Sequence, residues 1–92
     1  MLKSIYDFDI TSYHFAKNEV LPDEQSRLTR LHDLYSAQAA TNMEHDEVGL
    51  IVQLESGEEV EVLSNLITVG RIHVEVKGGH LIPITAILRV EV

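Results

Sequence analysis

Four glutamates, Glu55, Glu58, Glu59 and Glu61, crowd one short stretch of the chain, and a carboxylate pair can serve as general acid and base when burial raises one of the two pKa values. Here Glu59 and Glu61 alternate with Val60 and Val62, so the valines take the buried face of a strand and the carboxylates face solvent. Two readings remain: a solvated acidic face, or an acidic docking surface for a basic partner. Five histidines, His14, His32, His45, His73 and His80, raise metal binding, yet no two stand at the i, i+3 or i, i+4 spacing that sets two ligands on one helical face. His73 and Glu75 share a strand face and would need Glu59 or Glu61 from a neighbouring strand to make a site, so solvated surface is the simpler expectation. There is no cysteine, no serine stands in a Gly-x-Ser-x-Gly elbow, and Gly78-Gly79 is an isolated pair rather than a phosphate-cradling loop. No enzyme activity, cofactor or metal is therefore expected. Glu55, Glu58, Glu59, Glu61, His73 and Glu75 stand as candidate partner-binding residues.

Charge narrows the partner. The 92 residues carry 15 acidic and 7 basic side chains, a net charge of −8. Phosphate binding draws on clustered Lys and Arg, whereas Lys3, Lys17, Arg27, Arg30, Arg71, Lys77 and Arg89 are scattered along the chain. All five aromatic residues, Tyr6, Phe8, Tyr13, Phe15 and Tyr35, precede the β-rich half, which is thereby poorly equipped to stack bases. Direct nucleic-acid binding is disfavoured, and a protein with a basic surface is the better electrostatic match. No apolar run approaches the roughly 18–20 residues that span a bilayer, and Met1-Leu2-Lys3-Ser4 lacks a signal-peptide stretch. With no cysteine, a reducing, cytoplasmic setting is expected.

The elements that must position these residues follow from periodicity. Leu50, Val52 and Leu54 alternate with Gly49, Ile51 and Gln53 before the turn Glu55-Ser56-Gly57-Glu58. A long second strand from about Glu58 to Val69 needs a bend near Ser64-Asn65. Ile72, Val74 and Val76 face one way in a third strand and His73, Glu75 and Lys77 the other, and Gly78-Gly79 makes a primed two-residue turn. A fourth strand, His80 to Ile84, carries Pro83 at an edge or end, a single 3₁₀ turn covers Thr85-Ala86-Ile87, and a short strand runs from Leu88 to Val92. Upstream, Pro22 suits a first helical position, and Leu28, Leu31, Leu34 and Tyr35 recur at helical spacing to about Ala40, the stripe expected to pack on the barrel, with a dimer interface as the other reading. A polar connector, Thr41 to Asp46, follows. Ser4 to Ile10 alternates apolar and acidic residues as an edge strand would, with a helical turn through Tyr13 and Phe15 as the other reading. The expectation is one α+β domain over residues 1–92: an N-terminal strand or helix segment, 1–45, and a five-stranded antiparallel SH3/Sm-like β-barrel, 48–92, with an open five-stranded meander as the competing architecture.

The run Leu50-Ile51-Val52-Gln53-Leu54-Glu55-Ser56-Gly57-Glu58, with Ile82-Pro83-Ile84-Thr85-Ala86-Ile87 and the helix start Leu21-Pro22-Asp23-Glu24, resembles the YolD-like proteins of Gram-positive bacteria and their phages. That resemblance implies a small barrel preceded by a helix and a role in DNA-damage tolerance beside translesion polymerases. The same segment is also similar to the Rho-binding antiterminator family, acidic Sm-like proteins that block an RNA-binding surface. Both imply a non-catalytic regulatory module docking a protein of the DNA-repair or transcription machinery. Two alternatives stay open: a homo-oligomeric Sm-like nucleic-acid binder, and a phage-type inhibitor whose acidity mimics nucleic acid.

Overall fold

β-Branched residues recur in every strand, alternating strictly with polar ones around Val60/Val62 and Val74/Val76, and two short backbone features decide how the strands are grouped. The computed structural model describes residues 2–44 and 46–91, with the side chains of Asp7 and of residues 42–44 left aside. In chain order the elements are β1 (Lys3–Tyr6), a 3₁₀ segment (Asp7–Ser12), α1 (Glu24–Glu44), β2 (Val48–Gln53), β3 (Glu59–Ser64), β4 (Leu66–Val69), β5 (His73–Val76), β6 (His80–Pro83), a second 3₁₀ turn (Ile84–Ala86) and β7 (Ile87–Glu91).

The seven strands lie in two open sheets, one ordered β1-β3-β2-β7 and the other β4-β5-β6. The expected five-stranded barrel does not form. The bend anticipated at Ser64-Asn65 is a full break: β3 ends at Ser64, β4 starts at Leu66, and the two belong to different sheets. Asn65 accepts a hydrogen bond from Lys77 N–H through its carbonyl (3.0 Å) at the break. The second decisive feature is β1, which adds to the free side of β3 in parallel, with Ile5 opposite Val62. Of the expected edge strand Ser4 to Ile10, Ser4 to Tyr6 are extended while Asp7 to Ile10 turn into the 3₁₀ segment, which ends at Ser12, before Tyr13 and Phe15. Gly57, Gly78 and Gly79 hold φ of +95°, +91° and +78°, a region open to glycine at little cost; the expected two-residue turn at Gly78-Gly79 is instead a three-residue loop, Lys77 to Gly79, because Val76 pairs with His80.

The N-terminal half stands where closure would have been. α1 packs on β7 and β4, edge strands of the two sheets, and the first 3₁₀ segment touches the other two edges, β1 and β6, as well as β3. The helix also satisfies edge backbone groups. Arg30 donates from Nη1 to the carbonyl of Ile87 (3.1 Å), and Val69 N–H donates to Gln38 Oε1 (2.6 Å). One core results, in which Ile5, Ile10 and Leu34 join Val52, Val62, Val74 and Ile82 from both sheets. A strand edge covered by a helix is one of the ways a sheet avoids presenting unpaired groups.

The helix itself departs from expectation at both ends and on its buried face. Pro22 precedes the first turn, and Asp23 caps it by accepting from Ser26 N–H at 2.7 Å, a contact that holds the Asp23 carboxyl below its ordinary range. At the other end helix replaces the expected connector as far as Glu44, and His45 lies outside the described residues, as does Val92 of the expected last strand. The buried stripe is Arg30, Leu34, Ala37 and Thr41, at i, i+4, i+7 and i+11. Of the leucines and tyrosine expected inward, Leu34 is fully buried, while Leu28 is 54% exposed and Leu31 and Tyr35 are also open to solvent.

Arg30 sits at the heart of this face, 6% exposed, in a two-pronged ion pair with Glu19: Nη1 to Oε2 at 2.6 Å and Nη2 to Oε1 at 2.7 Å. Leu21 N–H donates to Glu19 Oε2 at 3.0 Å. Arg30 and Leu21 hold the Glu19 carboxyl below its ordinary value of 4.5 despite partial burial.

Two expectations follow. Leu34→Ala should lower the unfolding free energy by about 2–5 kcal/mol, whereas Leu28→Ala should stay within about 0.5 kcal/mol of wild type, both read from urea unfolding; equal losses would mean the wrong helix face is described as buried. Because the folded-state pKa of Glu19 is depressed, its contribution is present in full above the unfolded value near 4.5 and fades as pH falls through the lower folded value. Glu19→Gln, which strands a buried guanidinium, should cost about 2–4 kcal/mol at neutral pH. It should also flatten the loss of stability below the ordinary carboxylate range, and a variant as acid-sensitive as wild type would remove Glu19 from that role.

Candidate functional site

The hairpin between β2 and β3 holds the acidic residues, and its geometry comes from local bonds. Leu54 N–H donates to the Glu58 carbonyl at 2.7 Å and Gly57 N–H to the Leu54 carbonyl at 2.9 Å, closing the turn, while Ser56 Oγ accepts from Glu58 N–H at 3.3 Å. A second stretch of chain lies against this end of β2. Phe15 bridges Leu54, Glu55 N–H donates to the His14 carbonyl (2.8 Å), and Ala16 N–H to the Gln53 carbonyl (2.9 Å). Residues 14–16 thus continue the β2 ladder beyond the point where β7 pairs with it at Val52.

Between these two stretches lies an open cleft of about 540 Å³, walled by Ser12, Tyr13 and His14 on one side and by Leu54, Glu55, Ser56 and Glu58 on the other. Glu55 and Glu58 are exposed at its rim, and Tyr13 is half-buried against the core. Lys3 places its Nζ 5.3 Å from the centre of the Tyr13 ring. Tyr13, with Glu58 and Asp9 contributing less, raises the Lys3 ammonium above its ordinary pKa. The site therefore already attracts one cation, by ring face and by carboxylate.

Of the six candidate residues, Glu55 and Glu58 share this cleft and Glu59 adjoins it at the start of β3, exposed and opposite Gln53. Glu61 is set apart. It is half-buried, accepts from Ser4 Oγ at 3.2 Å, and lies so closely over Gly49 that a Cβ there would meet its Oε2 at 2.5 Å. His73 and Glu75 belong to the other sheet, where Glu75 stands between Thr68 and Leu81 and His73 opposite Pro83. The arrangement of His73 and Glu75 with Glu59 or Glu61 on a neighbouring strand is not formed, because the neighbours of β5 are β4 and β6. Among the described residues no group of three or more His, Asp or Glu is placed to hold a metal ion.

The wall that sequence reading missed is Ser12, Tyr13 and His14, together with Lys3. Its one legible signal is the order Tyr13-His14-Phe15, in which Tyr13 and Phe15 pack on the core while His14 is exposed; that short alternation, which ends at the buried Ala16, fits an extended segment and not the helical turn held open for it. No described helix is long and apolar enough to cross a membrane. Searches against protein-family models, curated proteins and solved structures return no match to this chain.

Proposed function

We propose that the chain is a non-catalytic regulatory binding module that docks a basic protein segment in the cleft between the β2–β3 hairpin and residues 12–14. The observation that carries this reading is the pairing of two exposed carboxylates, Glu55 and Glu58, with the half-buried ring of Tyr13 across one concave surface. Exposed carboxylates accept the planar fork of an arginine in two parallel hydrogen bonds, and an aromatic face adds attraction for the same cation. Lys3 above the Tyr13 ring is an internal example of that chemistry. The net charge of −8 extends the preference over the encounter distance and speeds association with basic surfaces. Proteins that handle nucleic acid present such surfaces, so a protein of the DNA-repair or transcription machinery is the partner class in view.

Amide chemical shifts during titration with an arginine-rich peptide, and with an acidic peptide of equal length, test the proposal. Shifts should concentrate at residues 12–14 and 54–59 with the basic peptide only and weaken as salt is raised. The double variant Glu55→Lys, Glu58→Lys should lose at least about tenfold in affinity, about 1.4 kcal/mol. If the variant binds as wild type does, or if the shifts fall on the far sheet around His73 and Glu75, the cleft is not the docking site.

A further inference from the structure

The exposed helix stripe has a counterpart elsewhere on the same chain. A second cavity, of about 310 Å³, lies beside the first turns of α1, lined by the apolar Leu28, Leu31 and Ile84 and by Arg27, Arg30 and Arg71, with Glu24 also at its wall. Three of the chain's seven basic residues therefore meet at one apolar depression in a protein of charge −8. Arg30 is taken by Glu19, but neither Arg27 nor Arg71 makes an ion pair among the described residues. Ile72, next to Arg71, is 68% exposed. Such a surface fits an apolar side chain that arrives flanked by carboxylates.

The opening segment has that chemistry. Tyr6 and Phe8 stack in the open with ring centres 5.9 Å apart and planes 11° from parallel, Phe8 being 75% exposed, and Asp7 and Asp9 accompany them in sequence. Among the described residues they are the exposed aromatics that lie in acidic sequence. The 3₁₀ segment bearing Phe8 packs on β1, β3 and β6, whereas the depression is built from α1, Arg71 and Ile84. Projection and depression are therefore two different patches of the chain.

We propose that the Tyr6–Phe8 projection of one copy docks in the Arg27–Leu28–Leu31–Arg71 cleft of a second copy, so that the chain associates with itself head to tail. Phe8 enters the apolar depression between Leu28, Leu31 and Ile84, and the carboxylate of the half-buried Asp9 turns toward Arg27 and Arg71. Two different patches make the contact, so each chain keeps one free projection and one free cleft, and association proceeds to a ring or an open string rather than stopping at a two-fold dimer. One aromatic anchor with a charged rim makes a small contact, which belongs to the weak, concentration-dependent class.

Sedimentation velocity of the full chain over about 10 µM to 1 mM tests this. Wild type should show a weight-average sedimentation coefficient that rises with concentration beyond the dimer, and that falls back on raising salt. Phe8→Ala alone and Arg27→Glu, Arg71→Glu alone should each reduce self-association at least tenfold, with thermal unfolding by circular dichroism confirming that both variants are folded. Their equimolar mixture restores one good contact and should stop at a one-to-one dimer. A wild type that stays monomeric across the range, a Phe8→Ala variant that assembles as wild type does, or a mixture in which no dimer appears would each overturn the proposal.

Discussion

The guanidinium of Arg30 is the point at which three separate parts of the chain meet. Glu19 comes from the loop before the helix, Arg30 from the helix, and the Ile87 carbonyl from the edge of the first sheet. A buried charge is tolerated when its hydrogen bonds are met by charge and backbone together, and Arg30 Nε is left without a partner among the described residues. This ion pair therefore fixes position more than it adds stability. An apolar side chain could fill the same space, but it would satisfy neither the edge carbonyl nor the Glu19 carboxylate. Gln38, two turns further on, does the matching work for the second sheet through Val69 N–H. With both ends of this arrangement held, α1 lies across the edges of β7 and β4, and the two sheets enclose one core without joining into a cylinder.

That arrangement explains which parts of the fold were legible in sequence. The alternations Val60/Val62 and Val74/Val76, positive φ at glycines 57, 78 and 79 and Pro83 at a strand end are local features, and the structure carries each one, while the interruption expected at Ser64-Asn65 is in place as a break between sheets and not as a bend. Closure is a different kind of property, because it depends on which edges find each other. Five strands of suitable length with a bent second member are compatible with a barrel, and nothing local says that a parallel β1 takes the edge of β3 or that a helix covers β7 and β4. The helix face failed for a related reason. Leucines at 28, 31 and 34 with Tyr35 form a good apolar stripe, but the neighbour of this helix offers edge carbonyls and amides as well as side chains. It selects the face with Arg30 and Gln38, together with Leu34 and Ala37.

The cleft at the β2–β3 hairpin divides in the same way. Its acidic wall was visible because charge and alternation are properties of neighbouring residues. Its aromatic wall was not, since Tyr13 and Glu58 come together only when residues 14–16 extend the β2 ladder. Glu61 shows the opposite error. Alternation assigns it to the outward face correctly, but outward does not mean free: Gly49 leaves room for its carboxylate to fold onto β2, where Ser4 donates to it. His73 and Glu75 face outward too, yet they stand on the far side of the break at Asn65, so a shared acidic character does not make one surface.

The remaining asymmetry is in where the cations went. A chain with 15 acidic and 7 basic residues could have scattered its few positive charges as solubilising partners for the many negative ones. Instead Lys3 stands over Tyr13 near Glu58, and three arginines surround one depression by α1. The helix explains part of this. Arg27 and Arg30 lie one turn apart, so anchoring Arg30 inward to Glu19 and Ile87 carries Arg27 to the neighbouring flank, where Nη1 reaches the Leu21 carbonyl at 3.3 Å. Arg71 arrives independently, from the turn that Gly70 N–H closes on the His73 carbonyl at 2.9 Å. Between these cations Leu28 and Leu31 are left with no strand to cover them. Choosing Arg30 and Leu34 for the inward face is thus what puts apolar and basic groups together outside, so the exposed cleft is a consequence of how the two sheet edges are held.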